Sequence, residues 1–190
     1  LRFNEFNAGF DDSFLGQDAD FLSLSKQLTL QLNLTAPVGA KQTLKALFLS
    51  NQSDREIRSN YPAVYSGGQS SLDLYYSSYK NDRLSLLGGV YLTRQTTEFS
   101  EAEQSQSIEP YFNGTLKASD KLHLNAGVRY VAHSSFGSHW VYQAGPSLHL
   151  KLNRDQYFRL FAAVGSAFIA PSLSQLFGPF GPNPDLEPET

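Results

Sequence analysis

The chain has 190 residues and a formal net charge of −3, so its overall charge gives no indication of a nucleic-acid partner. It contains no cysteine, which excludes disulfide bonds, thiolate metal sites and thiol catalysis. Charged residues make up 17% of the chain, below the roughly 25% of soluble domains. No apolar run approaches the roughly 20 residues of a membrane-spanning helix, but a membrane-spanning strand would not produce such a run.

The first clear element follows a strand stub at residues 1–6. Leucines occupy every second position from Leu22 to Leu34, with one interruption at Lys26, and Ser, Thr, Gln and Asn occupy the positions between them. A period of two over this length predicts a β-strand with one apolar and one polar face.

Seven further segments alternate in the same way and predict seven more strands. They cover about 43–54, 68–80, 84–98, 108–117, 122–130, 147–152 and 157–168. In the first of them, Leu44, Leu47, Phe48 and Leu49 leave the assignment of faces open. Pro110 lacks a backbone donor and predicts a local break in the ladder.

The predicted connections alternate between short and long. The short turns centre on Gly39, Asp82, Asp120 and Asp155. The long loops cover 7–19, 55–67, 99–106, 133–139 and 169–187. Short turns at one end, longer loops at the other and strands of 10–15 residues are typical of an outer-membrane β-barrel. We therefore predict an all-β, antiparallel up-and-down transmembrane β-barrel, present here as eight to nine strands of a larger barrel.

Alternation alone does not decide which face is wet. In a soluble barrel the outer polar face would be rich in Lys and Glu, whereas here it is mainly Ser, Thr, Gln, Asn and Gly. We therefore expect the leucines to face lipid and the polar side chains to face a lumen. Aromatic residues near strand ends suit interfacial girdles, although tyrosine also favours strands in general. They are Tyr75, Tyr76, Tyr79, Tyr111, Tyr130, Trp140, Tyr142 and Tyr157.

The last third of the chain contains a recognisable sequence motif. Ala-Pro-Ser-Leu-Ser-Gln-Leu-Phe-Gly-Pro at 170–179, followed by Asn-Pro-Asp-Leu-Glu-Pro-Glu-Thr at 183–190, resembles the barrel signature of TonB-dependent outer-membrane receptors. The resemblance is strongest to the cobalamin (vitamin B12) receptor group, and the segments at 127–130 and 133–137 are similar to the same family. It implies a 22-stranded parent barrel with an N-terminal plug. We therefore expect residues 1–190 to be an internal fragment of the barrel domain, without the plug and the remaining strands.

The resemblance also implies a function. It is active uptake of a scarce nutrient, cobalamin first and a ferric siderophore as the alternative, across the bacterial outer membrane. Outer-membrane lipid would surround the barrel, a TonB-type inner-membrane complex would act through the absent plug, and no bond in the ligand would change, so no enzyme is expected. A small eight-stranded structural or adhesive barrel and a soluble β-sandwich are the alternatives from other classes.

Ligand contacts are expected from the long loops and the inward residues near them. The candidates are Tyr61, Tyr65, Arg94, Phe136, Trp140, Phe177 and Phe180. Four carboxylates of the first long loop are oxygen ligands of the kind that Ca²⁺ prefers, although their spacing matches no EF-hand and a solvated acidic loop is the alternative. They are Asp11, Asp12, Asp18 and Asp20. His133 and His139 flank another loop, where a metal pair without a third ligand competes with simple loop packing.

Overall fold

A computed structural model describes residues 1–10, 21–81, 83–98, 102–151, 156–178 and 181–190. Ten strands and one helix occur in these ranges. They are β1 (Arg2–Phe10), β2 (Phe21–Gly39), β3 (Gln42–Arg58), β4 (Ala63–Asn81), β5 (Leu84–Glu98), β6 (Ala102–Lys117), β7 (Leu122–His133), β8 (Gly137–Lys151), β9 (Tyr157–Phe161), β10 (Val164–Gly165) and α1 (Leu173–Phe177). Each strand from β1 to β8 pairs antiparallel with its sequence neighbour in one sheet, and β9 and β10 both pair with β8. The predicted all-β, up-and-down architecture is confirmed.

Three of the predicted loops are shorter than expected because the strands continue into them. β1 reaches Phe10, β3 reaches Arg58, and β6 already begins at Ala102. The loop prediction at 133–139 also shrinks, since β7 ends at His133 and β8 starts at Gly137. The sequence lost its apolar alternation in these stretches, but the ladder is made by backbone groups and does not require it.

The eighth predicted strand is interrupted rather than continuous over 157–168. β9 and β10 share one register against β8, with Leu160 opposite Leu148 and Val164 opposite Ala144. Between them the backbone N–H of Ala162 donates to the carbonyl of Pro146 at 3.1 Å. We treat β9 and β10 as two parts of one edge strand, which ends at Gly165.

The register divides the sheet into two faces. Leu32 lies opposite Phe48, and Phe48 lies opposite Leu72; the same row continues through Leu92 to Ile108. From β2 to β10 the even-numbered residues therefore share one side, which we call the apolar face, and the odd-numbered residues share the other, the polar face. The ambiguous third strand is thereby resolved, with Leu44 and Phe48 on the apolar face and Leu47 and Leu49 on the polar face.

The strands are staggered as a barrel requires. Following the paired residues from Leu44 across five pairings leads to Tyr142. Leu44 is two residues from Gln42, where β3 begins, whereas Tyr142 is nine residues from Lys151, where β8 ends. The difference, seven residues, is about 23 Å along a strand against about 24 Å across five strand spacings. If the short turns lie at the same height, this offset corresponds to a strand tilt of about 44°, which is within the range of barrel strands.

Exposure is inverted relative to a soluble β-domain. Leu34 is 68% exposed and Leu32 is 53% exposed, both on the apolar face. The buried residues of the sheet all lie on the polar face: Ser23, Ser105, Ser107, Val131 and Ser147. A soluble barrel or sandwich would bury its leucines and expose its serines, so the exposure pattern argues against both alternatives.

The sheet is open along the described residues. β1 pairs only with β2, and β9 and β10 pair only with β8, so the first and last strands do not meet. A closed eight-stranded barrel would need that pairing, because closure is what removes the edges of a barrel. The small-barrel alternative is therefore not the arrangement that these residues form.

Pro110 interrupts the ladder on one side only. On the β5 side the pairing is continuous, with Pro110 opposite Val90. On the β7 side the pairing passes from Ile108–Ala132 to Tyr111–Arg129 without pairs between them. The predicted break is confirmed, and it leaves the register unchanged.

The predicted aromatic girdle is only half correct. Tyr76, Tyr130, Trp140 and Tyr142 lie on the apolar face, where a lipid interface would meet them. The other half of the predicted girdle has odd numbers and lies on the polar face: Tyr75, Tyr79, Tyr111 and Tyr157. Nearness to a predicted strand end did not determine the side of the sheet, because successive residues of a strand point to opposite faces.

Candidate functional site

The polar face carries a charged group of side chains on β4, β6 and β7, which we call the central cluster. Arg129 Nη1 donates to Glu109 Oε2 at 3.1 Å, and Ser107 Oγ donates to Glu109 Oε1 at 2.6 Å. Beside them Tyr111 OH donates to Asp73 Oδ1 at 2.7 Å. All five residues have odd numbers, so the pleat brings them to one side. Each carboxylate is held by a donor from another strand: Glu109 by Arg129 of the adjacent β7, and Asp73 by Tyr111 of β6, across β5.

The central cluster is net negative. It contains two carboxylates and one guanidinium, and the Arg129 guanidinium carbon lies 6.0 Å from the centre of the Tyr111 ring. The side chain of Glu109 is 13% exposed and that of Arg129 is 51% exposed. The acidic partner is thus the more enclosed member of the ion pair. An anion approaching this part of the wall would meet the excess negative charge.

Amides and hydroxyls pair across strands around the cluster. Thr93 Oγ1 and Ser107 Oγ are 2.8 Å apart, and Gln143 Nε2 donates to Asn113 Oδ1 at 3.2 Å. Asn125 donates to Thr115 Oγ1 at 3.0 Å. The polar face is therefore a hydrogen-bonded wall whose side chains are held in place by one another.

A segment of the same chain crosses this wall. Residues 166–178, which we call the strap, begin where Ser166 exchanges hydrogen bonds with the backbone of Tyr142, at 3.0 and 3.2 Å. The ring of Phe168 then stacks on His139, with centroids 4.2 Å apart, and contacts His133 at 6.4 Å. The strap therefore lies over the polar face, at the end where the long connections are.

Helix α1 anchors the strap further along. Ser172 caps it: its Oγ accepts from the Gln175 backbone N–H at 3.3 Å, while Gln175 Oε1 accepts from the Ser172 backbone N–H at 2.9 Å. This reciprocal capping box was readable in the sequence as Ser-x-x-Gln. Leu173 and Leu176 are buried, and the helix packs against β5 and β6.

The last described residues tie the strap down. The backbone N–H of Asn183 donates to the carbonyl of Gln175 at 2.9 Å. Ile169 and Glu189 exchange two backbone hydrogen bonds, each 3.0 Å long. The described residues between Ser166 and Glu189 thus form an ordered connection, held by these backbone hydrogen bonds.

A cavity of about 450 Å³ lies between the wall and the start of the strap. Aromatic, charged and amide side chains line it together. The residues that matter most are Tyr91, Glu109, Tyr111, Arg129, Gln143 and Phe168. Such a lining suits a ligand with both a polar and an apolar part.

Two of the predicted ligand contacts lie where the loops predicted them. Tyr61 is 78% exposed in the connection between β3 and β4, and its backbone N–H donates to Ser59 Oγ at 3.0 Å. Tyr65 lies on the polar face of β4, opposite Arg55. Both are on the long-connection end of the sheet.

Two other candidates lie on the opposite side from the one expected. Arg94 shares a face with Leu92 and donates to Gln104 Oε1 at 3.1 Å. Trp140 also lies on the apolar face, where its ring is 4.9 Å from that of Tyr130. The prediction that these side chains point inward is wrong, because the register gives them even-numbered positions.

The remaining candidates are phenylalanines. Phe136 lies in the tight β7–β8 connection, where its carbonyl accepts from His139 Nε2 at 2.9 Å and its ring lies 5.1 Å from His133. Phe177 is the half-buried last residue of α1. Phe180 lies outside the described residues.

The proposed calcium ligands cannot be placed. Asp11, Asp12, Asp18 and Asp20 all lie outside the described residues. Within the described ranges no group of three or more His, Cys, Asp or Glu side chains is arranged to hold a metal ion.

Sequence reasoning missed the central cluster and Phe168. Asp73, Glu109, Tyr111 and Arg129 are far apart in the sequence, and only the registers of four strands bring them together. The available signal was their common odd numbering, which places all four on the polar face. Phe168 had no such signal because it follows the sheet.

The family comparison fits this geometry. The family described as TonB dependent receptor-like, beta-barrel matches residues 1–190. The chain belongs to this family. TonB-dependent receptors are transport receptors and not a class of enzymes, so the expectation of a non-catalytic protein agrees with the family. None of the helices in the described residues is long and apolar enough to cross a membrane.

Individual relatives of this receptor barrel are more distant. The probable TonB-dependent siderophore receptor PirA of Acinetobacter baumannii is 32% identical over 72 residues, which are 38% of this chain and 9% of that protein. The match thus spans less than a tenth of the relative's length. Among solved structures, the translocator domain of the autotransporter NalP from Neisseria meningitidis aligns with a TM-score of 0.40 and 14% identity, over 77% of this chain and 62% of that one.

Proposed function

We propose that this chain forms part of the barrel wall of an outer-membrane receptor that imports a scarce nutrient through a TonB-type energising complex. The observation that carries the proposal is the inverted exposure: the leucines point away from the covered side, and the serines, amides and charges point toward it. Lipid would contact the apolar face, and a plug outside residues 1–190 would fill the lumen. The family match supports this assignment.

A ferric siderophore is the first candidate for the ligand. One relative carries that ligand class in its name. The cavity under the strap adds a physical preference, since its lining includes one carboxylate, that of Glu109, which is paired with one guanidinium, that of Arg129. A neutral chelate needs no further countercharge there, whereas a polyanionic chelate would. Cobalamin is the second candidate, supported by the sequence motif at residues 170–179 and 183–190.

The strap and the long connections would form the binding surface. Tyr61, Tyr65 and Phe136 lie at that end of the barrel wall. Phe177 in the strap, Phe180 and the four aspartates of residues 11–20 are further candidates for ligand and Ca²⁺ contacts. Removing Ca²⁺ with a chelator should lower ligand affinity if the aspartates bind the ion. An unchanged affinity would reject the calcium site.

The test is a direct comparison of ligands. The full-length receptor in detergent is titrated with a neutral ferric hydroxamate, an anionic ferric catecholate and cyanocobalamin, and tryptophan fluorescence reports binding. We expect the hydroxamate to bind most tightly. Its affinity should fall in Tyr91→Ala and stay unchanged in the matched control Tyr76→Ala, whose side chain lies on the apolar face. Tightest binding of cyanocobalamin would replace the siderophore assignment. Binding of none of the three would reject both candidates.

A further inference from the structure

The apolar face loses its apolar side chains partway along the strands. Leu72 of β4 lies opposite Leu92 of β5, and Phe48 of β3 continues the same row. Toward the long connections, the even-numbered residues that follow on β3 and β5 are Ser50, Gln52, Asp54, Arg94, Thr96 and Glu98. The register of β4 against β5 is continuous from Ser66 to Tyr79. These polar side chains therefore lie on the same side of the sheet as the leucines, away from the polar face.

A recess of about 520 Å³ lies on this polar extension, and we call it the outer recess. Hydroxyl, amide, carboxylate and guanidinium groups from β3 to β6 line it. The side chains that matter most are those of Gln52, Asp54, Ser66, Arg94, Thr96 and Gln104. All six have even numbers, so the outer recess opens on the side opposite to the cavity under the strap. Gly68 forms part of its floor, where a Cβ would lie 3.2 Å from Thr96 Oγ1.

The polar groups of the outer recess are accessible and keep hydrogen-bonding capacity. Gln52, Asp54, Arg94 and Gln104 are all exposed. Asp54 Oδ1 accepts from Ser66 Oγ at 2.6 Å, and Arg94 Nη2 donates to Gln104 Oε1 at 3.1 Å. A carboxylate accepts at two oxygens and a guanidinium donates five hydrogens. Each of these bonds therefore orients its groups and leaves further positions for a ligand.

The charge of the outer recess favours hydroxyl groups over phosphate. On its even-numbered side the carboxylates of Asp54 and Glu98 outnumber the guanidinium of Arg94. The neighbouring Lys26 pairs with Glu5 at 3.9 Å and does not line the recess. A phosphate would meet the excess negative charge, whereas a sugar hydroxyl, which donates and accepts, can pair with carboxylates, amides and the guanidinium alike. The lining therefore suits a neutral group with many hydroxyls.

The outer recess lies directly beyond the apolar band. Thr96 follows Leu92 by four residues on β5, which is about 13 Å along a strand and about 10 Å in height at a barrel tilt of about 45°. If lipid contacts the apolar face, its acyl chains lie beside Leu72 and Leu92, and its headgroup lies at the height of the recess. A molecule that uses both surfaces has an apolar part and a hydroxyl-rich part.

We propose that the outer recess binds the neutral sugar headgroup of a glycolipid from the surrounding bilayer, with the acyl chains of that lipid against Leu72 and Leu92. Asp54 accepts hydrogen bonds from the sugar hydroxyls. Arg94 and the Nε2 group of Gln104 donate to them. The inference rests on the proposed function for the lipid contact and does not depend on which ligand the receptor imports. It also explains why Arg94 lies on the apolar-face side, where a ligand in the lumen could not reach it.

Lipid titration tests the headgroup preference. The full-length receptor in lauryldimethylamine oxide, a detergent without sugar, is titrated with digalactosyl diacylglycerol or with phosphatidylglycerol of the same acyl chains, and native mass spectrometry counts the bound lipids. The galactolipid should bind about tenfold more tightly than phosphatidylglycerol. Gln52→Ala combined with Gln104→Ala should weaken galactolipid binding about fivefold or more. The matched pair Gln69→Ala and Gln95→Ala removes two facing amides at the same level of the polar face and should change it less than about twofold.

The position and the source of the sugar are tested separately. A photo-cross-linking amino acid at Thr96 should capture the galactolipid, and one at the adjacent Gln95 should not. Equal capture at both positions, equal weakening by both double variants, or equal affinity for phosphatidylglycerol would overturn the proposal. So would full competition by an equal concentration of free digalactose, which would mean a soluble sugar. Unchanged unfolding midpoints ensure that the variants report binding and not misfolding.

A tryptophan at Leu92 separates this inference from the proposed function. Brominated lipid should quench it, in a background without other tryptophans, if the apolar face contacts the bilayer. Absence of quenching would reject the lipid contact and the glycolipid site together. Quenching without preferential galactolipid binding would leave the receptor assignment intact and overturn only the glycolipid site.

Discussion

The two faces of this sheet are built from the same strands but satisfy different requirements. On the apolar face, side chains such as Leu32 and Leu34 are exposed and make few polar contacts, so their environment is set by what surrounds the protein. On the polar face, Glu109, Arg129 and Tyr111 are held by specific partners within the chain. The apolar face tolerates any residue that suits its solvent, whereas the polar face depends on individual shapes and partners.

The largest expected effect comes from placing a charge on the apolar face. Leu124→Arg, between Leu116 and Pro146, should destabilise the full-length receptor in bilayers by about 2–4 kcal/mol, since the guanidinium must leave water or draw water into the bilayer. Asn125→Arg, on the polar face, should cost much less, although it loses the 3.0 Å bond to Thr115. Urea unfolding in lipid vesicles measures both.

A quenching experiment separates a membrane barrel from a soluble one, because a buried arginine would also damage a soluble core. Tryptophan is placed at Leu124 or at Asn125 in a background in which the other tryptophans are replaced by phenylalanine. Brominated lipid should quench the first and not the second. If neither is quenched, the apolar face does not contact lipid.

A methyl group placed at a glycine sharpens the comparison. A Cβ at Gly89, on the polar face, would lie 2.5 Å from the Leu74 carbonyl oxygen and 2.9 Å from the Tyr111 hydroxyl. Gly89→Ala should therefore destabilise the receptor by about 1–3 kcal/mol through overpacking. Gly114, on the apolar face, would bring its Cβ only to 3.5 Å from Leu86, so Gly114→Ala should be close to neutral. Equal unfolding midpoints for the two variants would contradict the packing of Tyr111 against Gly89.

The helix cap of the strap should give a smaller effect. Ser172→Ala removes the hydroxyl of the capping box and should cost about 1 kcal/mol locally. We expect faster hydrogen exchange at the Gln175 and Leu176 amides. Ser174→Ala, inside the same helix, is the matched control and should leave that exchange unchanged. If both variants exchange at the same rate, the cap does not hold the strap.

The smallest effect is expected at a turn. The hydrogen bond and the charge of Lys117 lower the pKa of Asp120. A lowered folded-state pKa contributes stability above the unfolded value, and that contribution is lost as the pH falls through the folded-state value. Because Asp120 is exposed, its pairing with Lys117 is largely screened by solvent. Asp120→Asn should thus leave the unfolding midpoint unchanged at pH 7 and at acidic pH; a drop seen only at pH 7 would mean that this ion pair contributes more than its exposure suggests.

Sequence reasoning succeeded where a single strand carries its own signal. Alternation from Leu22 to Leu34 identified a strand and its faces, and Pro110 identified a break, because side-chain period and a missing donor are local properties. It expected Arg94 and Trp140 among the inward ligand contacts, although both lie on the apolar face, because nearness to a loop does not fix parity. The alternative placement of Trp140 in the aromatic girdle agrees with its face. The capping box at Ser172 was visible in the sequence but was read as part of a connection.

The sequence by itself determined the strands, their order and their two faces, since alternation and short turns between neighbours leave few other pairings. It also carried the family motif at residues 170–190. The tertiary structure alone decided which polar residues meet. The central cluster joins Asp73 to Arg129 through three strand registers, and the strap brings Phe168 onto His139 from beyond the sheet. Such contacts depend on the stagger of the strands and on the path of the chain across the polar face. Both result from many backbone hydrogen bonds together, so no single segment of the sequence reveals them.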